Sequence, residues 1–154
     1  MQKKQLIMTD WFYPGYKAGG TISTCYNLAM LLKSDYKIYI MTSDRDLDEQ
    51  EPYENVTINQ WINFCENVQI FYASPSKLNW INIIREIKNL SPDCIYLNSM
   101  YSLYFTIYPL LMKRIKLINI PIVLSPSGML KESALKLKSF KKKCFLTGLN
   151  IIKI

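Results

Sequence analysis

Trp80-Ile-Asn-Ile-Ile-Arg-Glu-Ile-Lys-Asn-Leu90-Ser-Pro-Asp-Cys94-Ile-Tyr-Leu97 is the stretch whose reading decides the fold. Trp80, Ile83, Ile84, Ile87 and Leu90 recur at helical spacing as one apolar stripe, with Asn82, Arg85, Glu86 and Lys88 away from it. Ser91-Pro92-Asp93 stops the helix, because a proline disfavours helical backbone at the residue before it. An apolar strand, Cys94–Leu97, follows at once.

The same alternation continues outward in both directions. Upstream, Gln5–Thr9, Lys37–Thr42 and Val68–Tyr72 read as strands. Thr21 is placed to cap a helix whose Ile22, Cys25, Ala29 and Leu32 share a face. An acidic loop covers Ser43 to Glu54, and 55–67 reads as neither helix nor strand. Downstream, a helix over 101–118 must bend or start afresh at Pro109; Pro121–Leu124 is a strand, and a basic helix runs from Lys131 to Phe145. Strands that alternate with helices, and that are apolar almost without interruption, belong to a parallel sheet covered on both faces. The expectation is an α/β Rossmann-like domain over residues 1–154, with about five to six parallel strands and helices on both faces.

Composition narrows the chemistry. With 49% apolar and 20% charged residues in 154, the chain can bury a core. It contains no histidine, which removes Ser-His, Cys-His and His-metal mechanisms together. Cys25, Cys65, Cys94 and Cys144 form no CxxC pair and read as buried thiols, so no metal is expected. The opening Met1-Gln-Lys-Lys leads into too short an apolar run for a signal peptide, and Met100–Met112, broken by Pro109, is too short to span a bilayer. A cytoplasmic protein is expected. Charge is uneven: residues 1–76 carry 6 basic against 9 acidic side chains, and residues 77–154 carry 13 against 3.

In a parallel sheet ligands sit beyond the carboxyl ends of the strands. Asp10–Gly20, Asn98–Tyr101 and Ser125–Met129 should therefore line one edge. Gly15-Tyr-Lys-Ala-Gly19-Gly20-Thr21 opens a helix, where glycines allow close approach and free amides favour a phosphate. Thr21 stands where a Walker A loop needs lysine, and GxGxxG is absent, so neither nucleotide motif is present. A plain turn remains the alternative. Trp11, Phe12, Tyr13 and Tyr16 crowd this loop, either to stack on a sugar or simply to pack.

Taken in order, three segments resemble retaining GT-B glycosyltransferases of family 4. They are Pro14-x-x-x-x-Gly19-Gly20 with the helix Thr21-Ile-Ser-Thr-Cys-Tyr-Asn-Leu-Ala, Asp93-Cys-Ile-Tyr-Leu-Asn98-Ser99, and Ser125-Pro-Ser-Gly128-Met-Leu with Ala134-Leu and Lys141-Lys-Lys143. The resemblance covers roughly residues 5–147. It implies an amino-terminal, acceptor-side half-domain facing a second domain that binds a nucleotide sugar. Gly19, Gly20 and Thr21 would face the donor diphosphate and sugar. Asp10, Tyr16, Lys17, Asn98, Ser99, Ser127 and Gly128 would face acceptor or sugar.

Asn98 stands where many relatives carry histidine and offers hydrogen bonds but no acid or base; Ser127 replaces a frequent arginine. No catalytic residue is assigned. No cofactor is implied, the nucleotide sugar being a substrate and the acceptor a glycan or lipid-linked glycan of bacterial surface polysaccharide synthesis. The chain ends at Ile154 without a counterpart of the second domain, so the resemblance implies a truncated or split product, inactive alone, with a complementary carboxy-terminal half-chain as partner. Lys131, Lys138 and Lys142 share one side of the basic helix, either solvated or touching the inner membrane peripherally. Nucleic acid is not an expected partner. The rival readings are a non-catalytic subunit of a split transferase and a small α/β domain that binds a phosphorylated ligand.

Overall fold

The computed structural model describes residues 2–126 of the 154-residue chain. In chain order the elements are β1 (Lys3–Met8), α1 (Gly20–Leu32), β2 (Tyr36–Ser43), β3 (Trp61–Cys65), β4 (Val68–Ala73), α2 (Trp80–Leu90) and β5 (Cys94–Leu97), then a π-helical turn (Leu103–Ile107), α3 (Tyr108–Arg114) and β6 (Ile122–Leu124). The strands form one six-stranded sheet in the order β3-β4-β2-β1-β5-β6. All neighbours pair parallel except β3 and β4, which pair antiparallel. The protein has an α/β Rossmann-like fold.

The uninterrupted apolar strands divide by parity. Leu6 and Met8 of β1 join Met41, Phe71, Ala73, Ile95 and Leu97 on one face, beneath Ile83, Ile87 and Leu90 of α2 and Leu110 and Met112 of α3. Ile7 points the other way and joins Ile38, Ile40, Val68, Ile70 and Tyr72, beneath Cys25 and Ala29 of α1 and the loop residue Phe12. Alternate residues of a strand face opposite sides, so a strand covered on both sides has no polar register. The path β1-α1-β2 steps one way across the sheet and β4-α2-β5 steps the other way. A constant crossover hand then places α1 and α2 on opposite faces.

Three local readings change. The undecided segment 55–67 contains β3, an antiparallel edge strand joined to β4 by a two-residue turn in which Asn67 has φ 60°. Its pairing shifts between Asn63 and Cys65, and its half-exposed side chains follow no clean period, which hid it from a periodicity reading. Helix α1 starts at Gly20 with Gly19 as its N-cap, so Thr21 sits inside the first turn and does not cap. Gly19 has φ 52° and ψ −111°, a backbone open to glycine and strained for other residues. The helix expected over 101–118 divides into the π-helical turn and α3, with Pro109 in the first turn of α3, where a missing amide proton costs no hydrogen bond.

Burial pushes the Cys25 thiol up to about 12, against a smaller opposing effect of a hydrogen bond from Thr9, so this cysteine is an inert core group. Among the described residues no helix is long and apolar enough to cross a membrane. The basic helix, with Lys131, Lys138 and Lys142, and the loop residues Ser127 and Gly128 lie outside the described residues.

Ile87 is fully buried between α2 and the sheet, whereas Ile81 on the same helix is 73% exposed. Ile87→Ala should lower unfolding free energy by about 2–5 kcal/mol. Ile81→Ala should change it by no more than about 0.5 kcal/mol. Urea denaturation of the two variants separates them, and equal losses would contradict this assignment of faces.

Candidate functional site

Sheet order reverses between β1 and β5, the kind of position at which open parallel sheets place a crevice beyond their strand ends. Backbone bonds carry the ladder past those ends. Thr9 N donates to Met41 O at 3.1 Å, Ser43 N to Asp10 O at 3.2 Å, Asn98 N to Met8 O at 3.1 Å, and Ser125 N to Leu97 O at 2.8 Å. Residues 9–10, 43, 98 and 125 thus stand side by side along one rim.

The opening turn of α1 leans on the same place. Asn98 is fully buried, and its Nδ2 donates to the Thr21 carbonyl at 3.3 Å while Tyr96 Oη donates to its Oδ1 at 3.4 Å. Asn98 therefore braces the start of α1 against the end of β5. Gly19 and Gly20 are exposed at that start, and a β-carbon built on either would meet nothing within 4 Å among the described residues. Gly19 needs glycine for its backbone angle, but Gly20 is helical and none of the described residues crowds it, so they do not demand a glycine there.

Asp10 is the carboxylate of the rim. Ser102 Oγ donates to its Oδ1 at 2.6 Å, and Ser99 also hydrogen-bonds to it. Burial raises the Asp10 carboxyl above its ordinary value, and the Ser102 and Ser99 hydrogen bonds pull the other way without cancelling that effect. Ser99 is tied down in turn, its carbonyl accepting from Thr106 Oγ1 at 2.5 Å. Ser102 Oγ also caps the π-helical turn by accepting from Phe105 N at 3.1 Å. One serine thus couples Asp10 to the turn after β5.

The rest of the first loop is held by the loop after β2. The buried Asp46 carboxylate accepts from the amides of Tyr16 at 2.7 Å, Lys17 at 3.1 Å and Leu47 at 2.8 Å. Burial alone would raise its pKa, but these three amides and the nearby Lys17 charge hold it below the ordinary value. Lys17 is exposed and ion-paired with Glu49, and Tyr16 is 76% exposed. Gly15 is required sterically, since a β-carbon there would lie 2.4 Å from Tyr53 Oη and 2.9 Å from Phe12 O.

Of the residues expected at the site, Asp10, Thr21, Asn98 and Ser99 converge, with Gly19 and Gly20 beside them. Tyr16 and Lys17 belong to the Asp46-bound part of the loop. Ser127 and Gly128 lie outside the described residues, though Ser125, two positions earlier, is on the rim. Ser102 and Asp46 escaped sequence reading, and Gly15, expected with the other glycines of its loop to let a ligand approach, is instead packed against Tyr53 and Phe12. A serine in a mixed segment and one aspartate in an acidic run carry no local mark of these roles. Compared with known protein families, curated proteins and solved structures, the chain matches none of them.

Two substitutions test this geometry. Gly19→Ala should cost about 1–3 kcal/mol of stability through its positive φ. Gly20→Ala should be neutral or stabilise by up to about 1 kcal/mol. Thermal and urea unfolding distinguish them, and matching losses would refute the assignment of N-cap and first turn.

A third substitution tests Asp10. Because its folded pKa is raised, the folded chain holds the proton more tightly than the unfolded chain. Its contribution to stability is full below the unfolded value and is lost as pH rises through the folded value. Asp10→Asn keeps an oxygen to accept from Ser102 and abolishes the titration. Measured by urea unfolding at about pH 4 and about pH 7, the variant should gain stability relative to the parent as pH rises. A difference that does not vary with pH would refute it.

Proposed function

We propose that the chain is the amino-terminal, acceptor-side half of a sugar-nucleotide-dependent GT-B glycosyltransferase. The observation that carries this reading is the start of α1 at the β1/β5 strand ends, where none of the described residues gives Gly20 a reason to lack a side chain. A helix start with an open glycine lets a diphosphate or a transferred sugar come against backbone amides. Amides already aimed at the leaving group stabilise charge as it develops, without reorganising during the reaction. Asn98 contributes by bracing that turn through the Thr21 carbonyl, and Asp10, Ser99 and Ser102 hold the facing wall.

On this reading the donor nucleotide is bound mainly by a second domain, on the same polypeptide or a separate one, and the crevice is completed when the two meet. Positioning of two reactants can supply about 7–11 kcal/mol of barrier lowering, so one wall alone leaves the chemistry close to the uncatalysed rate. The acceptor is a glycan or lipid-linked glycan of bacterial surface polysaccharide, handled in the cytoplasm with peripheral contact at the inner membrane. The rival reading, a free-standing phosphate-ligand domain, has less support. Lys17, the only basic side chain in the 10–21 loop, is paired with Glu49.

The test is reconstitution. The purified chain, given UDP- and GDP-sugars with a membrane extract of its source as acceptor, should transfer no sugar above background. Co-expression with a nucleotide-sugar-binding domain encoded in the same or an adjacent reading frame should restore transfer, and Asn98→Ala should then reduce it by about 10-fold or more through loss of amide positioning. Transfer by the purified chain alone, or adjacent reading frames that encode no such domain, would overturn the reading.

A further inference from the structure

A second concavity lies on the α1 side of the molecule. It is an open groove of about 570 Å³ lined by Tyr13, Ile22, Ser23, Tyr26, Asn27 and Phe64. Ile22 with Tyr26, and Ser23 with Asn27, are pairs four residues apart on α1, so the helix supplies one wall as two adjacent rows. Tyr13 of the first loop and Phe64 of β3 supply the other wall.

The aromatic groups are set before any ligand arrives. Phe12 is fully buried and meets Phe64 edge-on, with ring centroids 5.9 Å apart, and Tyr26 at 6.5 Å. Phe64 in turn meets Tyr13 at 5.9 Å and Tyr26 at 6.3 Å, both edge-on. Each edge-to-face contact leaves part of a ring free while restraining its tilt. Tyr13 remains 54% exposed and Tyr26 39% exposed, more than core packing leaves to an aromatic ring. The Tyr13 carbonyl is fixed by the Tyr72 hydroxyl at 2.6 Å, which ties the loop to the sheet.

The chemistry of the lining selects one ligand class. None of the six side chains carries a charge, so neither phosphate nor an ionic headgroup finds a counter-charge there. The polar groups are hydroxyls and one carboxamide, suited to a neutral partner that both donates and accepts. A pyranose ring has an apolar C–H face to lie on an aromatic ring and hydroxyls around its rim. An acyl chain would make no use of the carboxamide or the tyrosine hydroxyls.

We propose that this groove binds a neutral oligosaccharide, with Tyr13 and Tyr26 as stacking surfaces and Asn27 and Ser23 as hydrogen-bonding groups. The groove begins in the first turn of α1, and Tyr26 lies roughly 9 Å along the helix axis from Gly20. If the transferase reading holds, the groove carries the part of the acceptor glycan beyond the sugar that reacts. That last step rests on the proposed function, whereas the binding site itself does not.

The experiment is an amide chemical-shift titration of the full chain with chitotriose, cellotriose and maltotriose, each to about 20 mM, beside octyl chains presented as octyl glucoside below its micellar concentration. At least one trisaccharide should bind with a dissociation constant of about 0.1–10 mM. Its shifts should concentrate at residues 13, 22–27 and 64. Tyr26→Ala and Asn27→Ala should each weaken binding by 10-fold or more, with unfolding midpoints close to the parent. Tyr26→Phe should retain most of it.

No trisaccharide binding, binding that survives both alanine variants, or shifts driven by octyl glucoside alone would overturn the groove. The outcome is separable from the transferase reading. Trisaccharide binding stands even if no second domain is found. Transfer whose acceptor KM is unmoved by Tyr26→Ala and Asn27→Ala would remove the groove and leave the transferase.

Discussion

Burial of β1 on both faces is the constraint from which the rest of this structure follows. Leu6, Ile7 and Met8 are all without solvent exposure, and their side chains alternate between two cores. Neither face can be left to water, because at about 25 cal/mol per Å² the exposed apolar surface would forfeit several kcal/mol. One face is closed by α1 and Phe12, the other by α2 and α3. The chain can supply both covers only by winding first one way from β1 and later the other, and that reversal opens the crevice between β1 and β5. The candidate site is thus a by-product of core coverage, and its position is inherited from the topology.

The crevice is then shaped by buried polar groups. Asp10 and Asp46 sit on either side of the first loop and do opposite things with the same functional group. Asp46 is surrounded by amide donors that favour its charge, so it acts as a fixed anchor for Tyr16 and Lys17. Asp10 has two hydroxyl partners that do not outweigh its burial, so its carboxyl lies above the ordinary value while that of Asp46 lies below it. Between these two carboxylates the loop is pinned at both ends and still presents Gly19 and Gly20 outward.

The aromatic residues of that loop show how packing and display can be shared between two adjacent positions. Phe12 goes fully into the α1-side core, while Tyr13 beside it stays half in solvent against Phe64. Phe64 belongs to β3, the one antiparallel strand among the described residues, so this wall of the groove comes from the hairpin that extends the edge. The pairing register with β4 shifts between Asn63 and Cys65, at this residue.

Sequence by itself determined the fold class, because the features that encode it are local. The stripe through Ile83, Ile87 and Leu90, the stop at Ser91-Pro92, and the apolar runs of β1, β2, β4 and β5 are visible within windows of a few residues. It also determined which loops belong at the carboxyl edge, since that follows from alternation of strand and helix; the convergence of Asp10, Thr21 and Asn98 agrees with it. Tertiary structure alone decided the rest. That β3 is a strand, that Gly19 and not Thr21 caps α1, that Ser102 reaches Asp10 across the crevice, and that Tyr26 and Phe64 face one another all depend on partners distant in sequence. A side chain's partner across that distance is chosen by the packing of the sheet, and no short-range pattern of hydrophobicity or turn residues records the choice.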